Sequence, residues 1–103
     1  MEERTVNISM ELIGISGEAK GIALNALKKA KNKEIDKAEE LASKAKTKLN
    51  EAHKLHAEII SREAQGENWD IKTLFIHAQD HFSNALVILD LLDYIIDLYK
   101  GKE

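Results

Sequence analysis

All four histidines of this chain fall in two short clusters: His53 with His56, and His77 with His81. Around the second pair the sequence runs Ile76-His77-Ala78-Gln79-Asp80-His81-Phe82. On a helix His77, Asp80 and His81 stand at i, i+3 and i+4 and share one side. Three chemistries compete for that side. A histidine on an apolar seam can be a hydrogen-bonded core residue. The spacing H-x-x-D-H superficially resembles a zinc pattern, H-x-x-E-H, but aspartate is one methylene short and no third ligand emerges. The di-iron pattern Glu-x-x-His is absent, because the residues three before the histidines are Asn50, His53, Leu74 and Ala78. Imidazole is also a good nucleophile near neutral pH, able to hold a group covalently and hand it on.

The elements that must position these groups are helices. The chain has 103 residues, 44% hydrophobic and 32% charged, with no proline, no cysteine and five glycines. That length fits one domain, 1–103, with a modest core that makes a self-association partner plausible. Zero cysteine excludes a disulfide framework, a zinc knuckle and a thiolate nucleophile. Zero proline and few glycines argue for a few long helices over turn-dense sandwiches and barrels.

The pattern predicts an all-α, antiparallel three-helix bundle over about 5–31, 34–64 and 71–100. Thr5 offers an N-cap for the first helix, whose seam is Ile8, Leu12, Ile15, Ala19, Ile22, Ala26 and Ala30. The second carries Ile35, Ala38, Ala42, Ala45, Leu49, Ala52, His56 and Ile59, alternating steps of three and four, with alanines that admit a close neighbour. Residues 65–70 form the one obvious loop, with Gly66 available for a C-terminal cap. The third helix has a seam of Leu74, Ala78, His81, Ala85, Ile88, Leu92, Ile95 and Tyr99. It also has a second stripe: Asp80, Asn84, Val87, Leu91, Tyr94 and Leu98. Two stripes mean two burial obligations, one inside the bundle and one against another subunit. In a symmetric oligomer copies of Asp80 could converge on the axis, where repulsion demands a proton, water or a cation. Hard oxygen ligands suit Mg²⁺. A solvated aspartate at the end of the interface is the alternative.

Charge names no partner. The net charge is −3, and residues 20–54 hold ten lysines against five acids. Those acids are interspersed, and no aromatic residue stands there to stack on bases, so a solvated helix face is the reading rather than nucleic-acid binding. No signal peptide and no stretch of 18 uncharged apolar residues is present, so a cytoplasmic location is expected.

With these residues in view, the run His77-Ala78-Gln79-Asp80-His81 resembles the signature of the lactose/cellobiose-class enzyme IIA of the phosphoenolpyruvate-dependent sugar phosphotransferase system. Other segments match in order: Ser16-Gly17-Glu18-Ala19-Lys20, Ala26-Leu27-Lys28-Lys29-Ala30, Asn50-Glu51-Ala52-His53, and Arg62 to Glu67. The resemblance implies three long helices assembling as a homotrimer around the third. It implies that His77 is phosphorylated on Nε2, accepting the phosphoryl group from phospho-HPr and passing it to a cysteine of the cognate IIB component. The sugar would be a β-linked disaccharide, and the link to the membrane would run through the IIB/IIC complex, with no insertion of this chain. It implies that Asp80 sits on the threefold axis and shares one structural Mg²⁺ or similar cation among subunits. Gln79, His81 and His53 are the polar groups that could support the phosphate, with His81 on the core seam leaning to a structural role. The competing class is a non-enzymatic helical interaction module with a structural histidine cluster.

Phe82-Ser83 follows the motif where Leu-Met is common, Gly21 stands where serine is often found, and His56 replaces a frequent glutamine. Gly14, Gly17 and Gly21 each cost roughly 1 kcal/mol against alanine inside a helix. Close helix packing is the expected reason. Room for a phosphate and a partner's surface is the alternative.

Overall fold

The structure is a computed structural model describing residues 2–69 and 71–101; Met1, Asp70, Lys102 and Glu103 lie outside the described residues. Three helices account for nearly all of it: α1 (Glu2–Lys31), α2 (Ile35–Ala64) and α3 (Thr73–Lys100). They run up, down and up in a rod of 53 × 20 × 17 Å. The described residues contain no strand.

The core is built largely from alanine. Ala19, Ala23, Ala26 and Ala30 of α1 are buried with Ala38, Ala42, Ala45 and Ala52 of α2. Such short side chains let backbones approach closely, so burial is spread along the helices rather than concentrated in a few large residues. α1 packs along both other helices, whereas α2 and α3 touch each other more sparsely. The central position of α1 explains why its buried arc is wider than the expected seam. Leu12, Ala19, Ala26 and Ala30 are fully buried as expected, and Thr5, Ser9, Ser16 and Ala23 join them.

Two expectations about the helices change. Thr5 is not an N-cap: the helix begins at Glu2 and Thr5 is buried within it, its carbonyl accepting the Ser9 hydroxyl at 2.7 Å. Tertiary contacts carry the extra turn, since the Arg4 guanidinium lies 4.1 Å over the Trp69 ring. On α3 the interior belongs to Phe75, Ala78, Phe82, Ala85, Leu89, Leu92 and Ile96. Leu74, His81, Ile88, Ile95 and Tyr99, expected at the centre, are half-buried along its edge. The two phenylalanines claim the inside because they bury the most apolar area. α2 follows its expected seam, with His56 half-buried.

Both connections close as Schellman turns. After α1, Glu34 N–H donates to Lys29 O at 2.9 Å and Lys33 N–H to Ala30 O at 2.9 Å, with Lys33 at φ 65°. Its Nζ then caps the end of α3 by donating to Tyr99 O at 2.8 Å. After α2, Glu67 N–H reaches Arg62 O at 3.1 Å around Gly66, whose φ of 98° suits a residue without Cβ. A second small core of Ile59, Trp69 and Phe75, flanked by Ile8 and Leu55, then fixes where α3 starts. Arg4 and Arg62 reach Glu67 at 3.6 and 3.1 Å and hold the loop over it. The position of His77 follows from that anchor.

Candidate functional site

His77 lies in the second turn of α3, exposed. Its Nε2 faces Nε2 of His81 at 3.1 Å, with the rings perpendicular and their centroids 4.6 Å apart. Two nitrogens at that distance share one hydrogen, so one imidazole donates and the other presents a lone pair. His81 is half-buried and braces the exposed His77 ring. It is therefore not the core histidine its seam position suggested, because the rotation of α3 moved it to the edge.

Gln79 points elsewhere. Its Nε2 lies 3.2 Å from Nε2 of His56 on α2. The His56 ring stacks on the buried Phe82 at 4.9 Å between centroids, and His53 approaches the same ring at 6.1 Å. Partial burial pushes His56 below the usual histidine range, with its neighbour His53 adding to the effect. His53 lines the open groove between α2 and α3 with Lys46, Asn50, Leu86 and Asp90.

The expected cluster is thus divided within one chain. His77 and His81 are together. Gln79 and His53 are not beside them, because successive residues of a helix turn about 100° and the pair at 77 and 81 faces away from α2. In the sequence His56 has only a place on the α2 seam and a departure from the family pattern. Its three-residue spacing from His53 was the available signal. Phe82 is the platform beneath both.

Asp80 is exposed at the head of the second stripe and forms no hydrogen bond or ion pair among the described residues. Down that stripe Val87, Leu91, Tyr94 and Leu98 are 50–75% exposed, so the second burial obligation is left unmet by the chain itself. No three histidine, cysteine or acidic side chains among the described residues converge on a metal position. Gly14, Gly17 and Gly21 correct another expectation: a Cβ at each would meet nothing within 4 Å, so close packing inside the bundle does not explain them. No helix among the described residues is long and apolar enough to cross a membrane.

An exposed imidazole braced by a second one, above an unpaired aspartate on a three-helix bundle, can be compared with known proteins. The family model for the lactose/cellobiose-specific IIA subunit of the PTS system matches residues 7–100. The chain belongs to this family. It is 37% identical over 93 residues to the lactose-specific EIIA component of Staphylococcus epidermidis, covering 90% of this chain and 89% of that one. Among solved structures it is similar to the cellobiose-specific enzyme IIA of Bacillus anthracis, with 44% identity, a TM-score of 0.89, and 93% and 88% of the two chains covered. It is also similar to the IIA(Chitobiose) structure solved with HPr from the Escherichia coli phosphotransferase system. There the identity is 28% and the TM-score 0.79, with 93% of each chain covered. As a IIA component the chain is part of a phosphotransferase, which sets aside the non-enzymatic interaction module.

Proposed function

We propose that His77 is the phosphoryl carrier of this IIA component. Its Nε2 takes the group from phospho-HPr and yields it to a cysteine of IIB, in the cytoplasm, during uptake of a β-linked disaccharide. The observation that carries this reading is the exposed His77 ring with Nε2 held 3.1 Å from His81 Nε2. The relative solved together with HPr supports the choice of donor.

The chemistry is a pair of displacements at phosphorus, for which positioning and charge stabilisation matter most. Neutral His77, with its hydrogen on Nδ1, attacks through the Nε2 lone pair. The new N–P bond forms as the donor's N–P bond breaks, and the donor imidazole recovers its lone pair. His81 donates its Nε2–H to His77 in the resting state. Once the lone pair is used, that N–H turns to a phosphoryl oxygen. Transfer onward forms an S–P bond at a cysteine thiolate and returns the lone pair to His77.

The unmet apolar stripe of α3 supports a homotrimer around the third helices. About a threefold axis through Asp80, His77 and His81 lie about 60° and 100° to one side, and Ser83 and Gln79 the same angles to the other. Cyclic contacts are heterologous, so the His77–His81 flank of one subunit meets the Ser83–Gln79 flank of the next. Gln79 thereby returns to the phosphate from a neighbouring chain, while His53 stays behind Phe82. Asp80 fits a hard cation, since its carboxylate is exposed and unpaired, and three copies would hold one Mg²⁺ or similar ion. That ion would neutralise carboxylates that otherwise repel one another.

Incubation with phosphoenolpyruvate, enzyme I and HPr should label a single acid-labile histidine. His77→Ala should abolish the label with helicity unchanged. Continued labelling of that variant would overturn the assignment.

A further inference from the structure

His56 and Gln79 meet at 3.2 Å through two nitrogens, Nε2 of each. A carboxamide nitrogen only donates, so in this arrangement His56 Nε2 holds a lone pair, its hydrogen sits on Nδ1, and Gln79 Oε1 is turned away. The imidazole is seated on the buried Phe82 ring, tilted by 32°. Its place is fixed by packing, which leaves the position of its hydrogen as the variable.

We propose that His56 is a positioning residue for phosphoryl transfer: whether its Nε2 carries a hydrogen decides which end of the Gln79 carboxamide faces outward. The inference rests on the reading of His77 as the carrier and of Gln79 as its neighbour across the subunit contact. With Nε2 bare, the amide nitrogen turns in and its oxygen turns out. With Nε2–H present, the amide oxygen accepts from His56 and the NH₂ turns out. A phosphoryl group offers only acceptors, so it selects the second arrangement. The change needs no net proton: one hydrogen leaves Nδ1 to water and another arrives at Nε2. At neutral pH the two neutral tautomers are the states in play, because burial and His53 disfavour the imidazolium. His53, one turn earlier on α2, is the titratable neighbour that bears on His56; α3 offers it Phe82 and Gln79, neither titratable, and no charged group of α1 bears on it among the described residues.

The test is ¹⁵N–¹H spectroscopy of the full chain before and after phosphorylation by phosphoenolpyruvate, enzyme I and HPr. His56 should pass from the Nδ1–H to the Nε2–H form, and the side-chain amide signals of Gln79 should shift with it. An acid titration of the unphosphorylated protein should move the same Gln79 signals along the His56 titration curve. His56→Leu should slow phosphoryl transfer about tenfold at unchanged helicity, and His56→Gln should restore most of the rate. If His77 becomes phosphorylated while His56 and the Gln79 amide stay unchanged, the coupling is wrong and the carrier assignment stands. A protein that takes no label at His77 overturns both. A Gln79 amide that ignores the His56 titration overturns the coupling even if His56→Leu fails to fold.

Discussion

His77 and His81 face each other through Nε2 at 3.1 Å, one turn apart on α3, with the outer ring exposed and the inner one half-buried. The burial difference assigns their roles. The exposed ring is accessible to a partner, and in the proposed mechanism the half-buried ring is its donor. His81→Ala should leave the fold intact and lower the single-turnover phosphorylation rate of His77 by about a hundredfold, the cost of one well-aimed donor. Rapid-quench labelling measures it. A rate equal to that of the unaltered protein would make His81 a packing residue only.

The exposed stripe of α3 should behave as a subunit contact. Leu91→Asp places a charge in its middle and should give monomers by analytical ultracentrifugation, since an unpaired buried charge is costly. Asp80→Leu should do the reverse. If Asp80 lines the proposed threefold axis, the change removes carboxylate repulsion there, so thermal stability should rise and any stabilisation by added Mg²⁺ should vanish. A calorimetric midpoint that still climbs with Mg²⁺ in that variant would place the cation elsewhere.

A Cβ added at Gly21 meets nothing within 4 Å. Gly21→Ala should therefore raise stability by roughly 1 kcal/mol through helix propensity and a less flexible unfolded chain. Urea unfolding gives the value. A loss of stability instead would mean that a second subunit covers this face of α1.

Lys33 holds a left-handed φ of 65° and caps α3 through Tyr99 O, so two effects oppose each other there. Lys33→Ala loses the cap and keeps the strain, and should cost about 1 kcal/mol in the same experiment. Lys33→Gly also loses the cap but relieves about 1 kcal/mol of strain, leaving stability near its starting value. Equal losses in the two variants would show that the backbone there is unstrained.

Three long helices, their joints near residues 32 and 66, the α2 seam and the His77–His81 pair were all legible in the sequence. Each rests on local information: apolar spacing of three and four, a glycine at a C-cap, and two histidines one turn apart. The order of motif segments along the chain carried the family as well. Tertiary packing decided the rest. A shift of one residue turns a helix face by about 100°, and apolar residues lie on both sides of the expected α3 seam, so spacing alone did not fix its rotation. Phe75 and Phe82 chose, by filling the interior beside α1, and that rotation moved His81 to the edge beside His77. It also turned Gln79 toward His56 on α2. Which groups meet across helices depends on such rotations, and they are set by side-chain volume and neighbours far apart in the chain.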